Sequence, residues 1–193
     1  VIKAARDSNI SNVVALSTDK ACAPVNLYGA TKLTSDKLFI AANNNSSKIK
    51  YSVVRYGNVM NSNGSVIPFF LKQKDSGILT VTATDMTRFN ITLNEGVNMV
   101  LFALEKAWGG ELFVPKIPSY NILDLANAVD SNCEIKVIGI RPGEKVHEEM
   151  ISSSDSYNTY DIGSYFVILP TISNWRISDF ITKFKANKVP LEF

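Results

Sequence analysis

The run Val13-Val14-Ala15-Leu16-Ser17 is short, apolar and without polar alternation, the pattern of a strand covered on both faces in a parallel sheet. Thr18-Asp19-Lys20 stands at its carboxyl end. Before it, residues 1–8 read as the last turns of a helix, with Val1, Ile2, Ala4 and Ala5 as apolar positions. After it, Pro24 and Asn26 punctuate a loop, and Leu27, Ala30, Leu33, Leu38, Phe39 and Ala42 recur at approximately helical spacing. That spacing predicts a helix over 27–43, ended by Asn43-Asn44-Asn45-Ser46-Ser47. Residues 51–56 predict a second buried strand, and 57–65, rich in glycine and asparagine, a loop at its carboxyl end. A helix-strand-helix-strand series of this kind predicts an α/β fold on a doubly wound sheet.

Farther along the pattern is less regular. A helix is expected from about residue 66, short strands near Leu79 and Arg88, and a helix over about 95–108 with Asn94 as its cap. Residues 111–114 and 134–140 read as strands flanking the amphipathic segment 122–129, with Arg141-Pro142-Gly143-Glu144 as a loop. The polar stretch 152–160 predicts a surface loop and 165–169 another short strand. Together these predict a smaller α+β lobe.

Composition narrows the function. An apolar content of 46% in 193 residues suits one globular body with a real core. Twenty basic against eighteen acidic residues, with no long run of like charge, give no nucleic-acid footprint. Cys22, Cys133 and the single His147 are too few for a four-ligand zinc site or a disulfide framework, so a reducing, cytoplasmic setting is expected. No stretch approaches the roughly 18 uninterrupted apolar residues of a membrane helix, and no secretory signal opens the chain.

Tyr28 and Lys32 stand four apart near the start of the expected helix and share one face. A fixed cation beside a phenol favours phenolate, so Tyr28 can deprotonate an alcohol at neutral pH. The same spacing also suits a tyrosine packed beside a solvated lysine. Position adds weight, because ligands of open α/β sheets bind outside the carboxyl ends of strands. Ser17, Thr18, Asp19 and Lys20 occupy that edge, where hydroxyl, carboxylate and amine together can bind a sugar hydroxyl, protonate a leaving oxygen and remove a carbon-bound proton. An exposed Asp-Lys turn is the plainer alternative.

Ser17-Thr18-Asp19-Lys20-Ala21, Asn26-Leu27-Tyr28-Gly29-Ala30-Thr31-Lys32, Arg55-Tyr56-Gly57-Asn58-Val59, Met86-Thr87-Arg88-Phe89 and Ile140-Arg141-Pro142-Gly143-Glu144-Lys145 occur in this order, with Phe113-Val114-Pro115-Lys116-Ile117-Pro118 between the last two. Together they resemble the inverting UDP-N-acetylglucosamine 4,6-dehydratase family of extended short-chain dehydrogenases, from Val13 to about Pro170. The resemblance implies the C-terminal part of a doubly wound, Rossmann-type sheet. Residues 1–65 would be the remainder of an NADP-binding domain, and 66–193 mainly a nucleotide-sugar lobe interleaved with it. It implies that Tyr28 assists oxidation of the sugar 4-hydroxyl by NADP and that Lys32 binds the nicotinamide ribose. Lys20 is then the expected base at the neighbouring carbon and Asp19 the expected acid for loss of the 6-hydroxyl. Thr18, Asn58, Arg88, Arg141 and Glu144 are the expected contacts to the UDP-sugar, the arginines through the diphosphate and Glu144 through the uridine ribose. His147 is expected to be structural.

By the same resemblance the product is a 4-keto-6-deoxy-hexosamine nucleotide inverted at one carbon, made for surface polysaccharide or pseudaminic-acid-type sugars by a cytoplasmic homo-oligomer. Tyr28 points to the short soluble branch, since the membrane-attached relatives usually carry methionine there. Asn90, where an aromatic is usual, and the loop Asn61-Ser62-Asn63-Gly64 depart from the pattern and bear on sugar preference. No glycine-rich dinucleotide fingerprint appears, and the expectation is a fragment cut at both ends, unable to hold NADP alone. A related 4-epimerase, or a dehydratase acting on another nucleotide, would share Tyr28 and Lys32 without needing the Asp19–Lys20 pair, and a reading of another class is a non-catalytic nucleotide-sugar-binding module or inert remnant on the same lobe.

Overall fold

In the computed structural model, which describes residues 1–45 and 48–190, the chain opens with α1 (Ile2–Arg6), β1 (Asn12–Thr18), α2 (Leu27–Ala41), β2 (Lys50–Tyr56), β3 (Asn58–Val59) and α3 (Val66–Gln73). It continues through β4 (Ile78–Val81), β5 (Thr87–Ile91), α4 (Leu93–Lys106), β6 (Leu112–Pro115), β7 (Ser119–Asn121), α5 (Ile122–Val129) and β8 (Glu134–Val137). The last elements are α6 (Ser153–Ser156), β9 (Thr159–Asp161), β10 (Tyr165–Ile168), α7 (Ile177–Phe184) and β11 (Asn187–Lys188). Ser46 and Ser47 of the expected helix-ending cluster, and Leu191, Glu192 and Phe193, lie outside the described residues. Contacts divide the chain into a first unit, Val1–Tyr56, Val97–Lys116 and the chain from Glu149 on, and a second, Gly57–Gly96 with Ile117–Glu148.

The apolar runs become the centre of the first unit. Its six-stranded sheet has the order β1-β2-β6-β10-β9-β11, with β1, β2 and β6 parallel and the other three antiparallel to their neighbours. β2 lies inside the sheet, and Tyr51, Val53 and Val54 have no exposed surface. The period of two sorts its residues. Tyr51 packs with Ala5 and Ala42 on one face, whereas Val54 packs on the other with Met99 and Ala103 of α4 and Phe180 of α7. Phe180 sits against Trp108, Trp175 and Phe184, and its full burial stabilises the unit by roughly 1.5–3 kcal/mol. Between α4 and β6 the buried Glu111 carboxylate accepts the backbone N–H groups of Trp108 (2.5 Å) and Gly109 (2.7 Å), and burial pushes its pKa up.

In the second unit β3 pairs parallel with β5, β5 antiparallel with β7, and β4 parallel with β8. Phe70, Leu79, Val81, Met86, Ile122 and Ala126 form its core.

Several local expectations change. Asn94 is not the cap of α4. Thr92 and Glu95 close a reciprocal capping box, Thr92 N–H to Glu95 Oε2 at 2.8 Å and Glu95 N–H to Thr92 Oγ1 at 3.2 Å, and Asn94 falls inside the helix. β3 interrupts the loop expected over 57–65. The stretch 152–160 is not a plain surface loop: it forms α6 and the start of β9, and Ser156 and Thr159 are buried because their hydroxyls bond Ser153 O (2.6 Å) and Asp155 O (2.8 Å). β8 ends at Val137, short of the expected 140, before Gly139 turns the chain at φ 87°.

Candidate active site

In the first unit the carboxyl end of β1 runs into a 3-10 turn, Asp19–Ala21, which folds Asp19 beneath the chain until it has no exposed surface. Its Oδ1 accepts three hydrogen bonds, from Thr18 Oγ1 (2.8 Å), the Lys20 N–H (2.9 Å) and Lys20 Nζ (2.9 Å). Its Oδ2 is buried and has no hydrogen-bond partner among the described residues. Lys20 keeps 32% of its side chain exposed. The contact sets an amine and a carboxyl group side by side, the two group types that a base step and an acid step need.

α2 starts where the Asn26 side chain accepts the Gly29 N–H at 2.8 Å. Gly29 is required by close approach, since a Cβ there would run into the Lys20 carbonyl and Pro24. The helix therefore rests directly on the Asp19–Lys20 turn. Tyr28, one residue earlier, is 53% exposed, and Lys32 Nζ donates to Leu16 O at 3.3 Å. Tyr56, at the end of β2, has its pKa raised by burial and further by Tyr28 nearby. Thr18, Asp19, Lys20, Tyr28 and Lys32 are thus all placed by β1, its turn and α2.

Pattern reasoning gave no role to a buried charge cluster below them. Asp36 accepts from Ser17 Oγ (2.7 Å) and Arg55 Nη2 (3.3 Å), and Arg55 Nη1 donates to Met150 O (3.0 Å) and Asp155 Oδ2 (3.3 Å). Burial raises the Asp36 pKa, opposed by the Ser17 hydroxyl, Arg55 and Lys32. The available signal was small: Asp36 lies one helical turn beyond Lys32, and Arg55 stood in a quoted motif with no task.

The second unit holds a cavity of about 340 Å³, within the size range of small-molecule sites. Asn58, Arg88, Arg141 and Glu144, separated by up to 86 positions in sequence (144 − 58), all line it, and so does Asn90. Asn58 and Asn90 are register partners of β3 and β5. The two arginines differ. Arg88 is buried and donates to Thr87 O (2.7 Å), Val146 O (3.0 Å) and Glu144 Oε1 (3.4 Å), whereas Arg141 is exposed. Glu144 Oε2 also accepts the Arg141 N–H at 3.3 Å, so it braces a turn and caps no helix. His147 Nδ1 lies 2.8 Å from Thr87 Oγ1.

Residues 1–170 match the family model described as polysaccharide biosynthesis protein. The chain belongs to that family. Among its relatives, the UDP-N-acetylglucosamine 4,6-dehydratase (inverting) of Campylobacter jejuni is 54% identical over 176 residues, covering 89% of this chain and 53% of the relative. A UDP-glucose 4-epimerase of Rickettsia canadensis is 43% identical over 175 residues, covering 87% and 51%. The X-ray structure of Pen from Bacillus thuringiensis superimposes with a TM-score of 0.88 at 35% identity, covering 99% of this chain and 59% of that one. More distant solved chains, 13% and 15% identical with TM-scores of 0.65 and 0.68, share the Rossmann-type fold alone. The chain spans about half the length of the curated relatives it matches. The resemblance read from the ordered motifs is therefore borne out, as is the Rossmann-type α/β class. Among the described residues of this polysaccharide biosynthesis family member, no helix is long and apolar enough to cross a membrane.

Proposed function

We propose that the protein carrying this chain is a nucleotide-sugar 4,6-dehydratase that converts UDP-N-acetylglucosamine to a UDP-4-keto-6-deoxy-hexosamine, inverted at the 5-carbon, for surface polysaccharide or pseudaminic-acid-type sugars. The observation that carries this reading is the Asp19–Lys20 pair at 2.9 Å in the turn after β1. Loss of water needs an acid and a base side by side, whereas epimerisation at the 4-carbon needs only the Tyr28–Lys32 pair. The 54% identity to the Campylobacter jejuni dehydratase supports the same choice.

Tyr28 takes the proton of the sugar 4-hydroxyl as that carbon is oxidised. The ketone acidifies the 5-carbon, and Lys20, as neutral amine, takes its proton. Asp19, as carboxylic acid, protonates the 6-hydroxyl, which leaves as water. A proton returned to the 5-carbon on the opposite face inverts it, and proton bookkeeping closes: Tyr28 and Lys20 gain one each, while Asp19 and the return step release one each. A half-exposed phenol and the Lys32 ammonium fit the nicotinamide-ribose end of a dinucleotide, NADP by the resemblance. When bound it supplies a hydride acceptor for the 4-carbon and a donor for the 6-carbon. By the resemblance, Arg88 and Arg141 are read as diphosphate contacts, Glu144 as the ribose contact, and Thr18 and Asn58 as contacts to the nucleotide-sugar. The enzyme is read as a cytoplasmic homo-oligomer.

The test is turnover of UDP-N-acetylglucosamine by the full-length protein, followed by mass spectrometry for loss of water. Lys20→Ala is expected to lower that loss by roughly 10²–10⁴-fold. Unimpaired water loss in the variant sinks the role of Lys20. Interconversion of 4-epimers without loss of water in the parent protein replaces the dehydratase reading by the epimerase one, which the 43% identity to the Rickettsia canadensis enzyme favours.

A further inference from the structure

Asp36 is one helical turn beyond Lys32 and two beyond Tyr28, yet it is buried while Tyr28 is open. Its two partners come from neighbouring strands. Ser17 and Arg55 are register partners across β1 and β2, so both side chains leave the sheet on the same face, and both reach Asp36 Oδ2. Arg55 then extends to Met150 O and Asp155, so among the described residues its charge is met by the carboxylates of Asp36 and Asp155. One carboxylate thus ties the helix carrying Tyr28 and Lys32 to the strand that, two residues after Ser17, delivers Asp19. A buried ion pair of this kind adds little net stability over an apolar contact of the same size, because desolvation offsets the attraction. What it adds is direction, since hydrogen bonds fix a helix in azimuth and height where apolar contacts allow sliding.

We propose that Asp36 is a positioning residue, whose hydrogen bonds to Ser17 and Arg55 hold the Tyr28–Lys32 face of α2 in register with the Asp19–Lys20 turn. The kinetic half of this proposal rests on the nucleotide-sugar reading; the structural half does not. Asp36→Asn keeps the shape and one acceptor but loses the charge, and Ser17→Ala removes one hydrogen bond and no charge.

In the full-length protein, Asp36→Asn lowers kcat about a hundredfold and Ser17→Ala about tenfold, with KM changed less than about twofold, because misplacement of the reacting groups costs rate and not affinity. Hydrogen exchange read by mass spectrometry accelerates about tenfold in peptides covering 16–20 and 27–36 and stays unchanged over 108–114 and 177–184. Exchange that accelerates uniformly, with kcat unchanged, reduces the cluster to general support and overturns the proposal. So does a rise in KM at constant kcat. If the parent protein turns over no nucleotide sugar, the dehydratase reading fails by itself and the exchange pattern alone decides: local acceleration upholds the positioning role, uniform acceleration ends it. Should Asp36→Asn not fold, Ser17→Ala carries both measurements.

Discussion

The two units use their charged side chains in opposite ways. In the first, Asp19, Asp36 and Arg55 are buried, and each is held by at least one hydrogen bond to another side chain. In the second, Arg141 is exposed and Glu144 only partly covered at the rim of a 340 Å³ cavity. On the proposed reading the contrast has a reason: groups placed around a proton transfer gain from fixed distances, since reaction rate falls steeply with misplacement, whereas groups that capture an anion must remain reachable from water. Arg88 stands between these types: it lines the cavity but is held like Arg55.

The strongest way to break the contrast is at the tightest contact of the first unit. Gly29→Ala places a methyl group against the Lys20 carbonyl, and we expect a loss of about 3 kcal/mol in denaturant unfolding, with the Asp19–Lys20 turn displaced. A neutral result would mean that α2 can lift from the turn at no cost. The two arginines sharpen the contrast within the second unit. Arg88→Ala leaves two backbone carbonyls and Glu144 short of a donor and should cost about 2–3 kcal/mol of stability. Arg141→Ala should stay within about 0.5 kcal/mol in the same assay, while calorimetry shows UDP binding weakened about tenfold. Equal stability losses in both would erase the distinction drawn between them.

The smallest effect concerns pH. Burial raises the Glu111 pKa in the folded chain, so the folded state holds this proton more tightly than the unfolded one. Its contribution to stability is complete below the unfolded pKa of about 4.3 and is lost as pH rises through the folded value. Glu111→Gln removes that slope. Relative to the variant, the parent should lose stability as pH rises above about 4, checked by melting temperature at a series of pH values, and parallel curves would refute it.

Much of the first unit was legible because its signals are long and redundant: β1, α2 and β2 each carry a full run of period or burial, and Pro24 and Asn26 mark the loop before the helix. The second half was read less well where short elements draw on distant partners. β3 has two residues and exists through pairing with β5. α6 has four and is held by serine and threonine bonds that composition alone assigns to a loop. α7 carries Ile177, Phe180, Ile181 and Phe184 at helical spacing, but with eight residues it lies beyond the last of the ordered motifs and was not among the expected elements. The cavity residues were named by motif, and the structure gathers Asn58, Arg88, Arg141 and Glu144 around one space. The Asp36–Arg55–Asp155 cluster was beyond reach, because its members lie 19 and 100 positions apart and no local period links them.

Position 29 behaves like a datum face in a machined part. It has no side chain of its own, yet the start of α2 comes as near to the turn after β1 as its bare backbone and the Lys20 carbonyl allow. The tolerance of the first turn of the helix is therefore limited by a residue that presents nothing to a ligand.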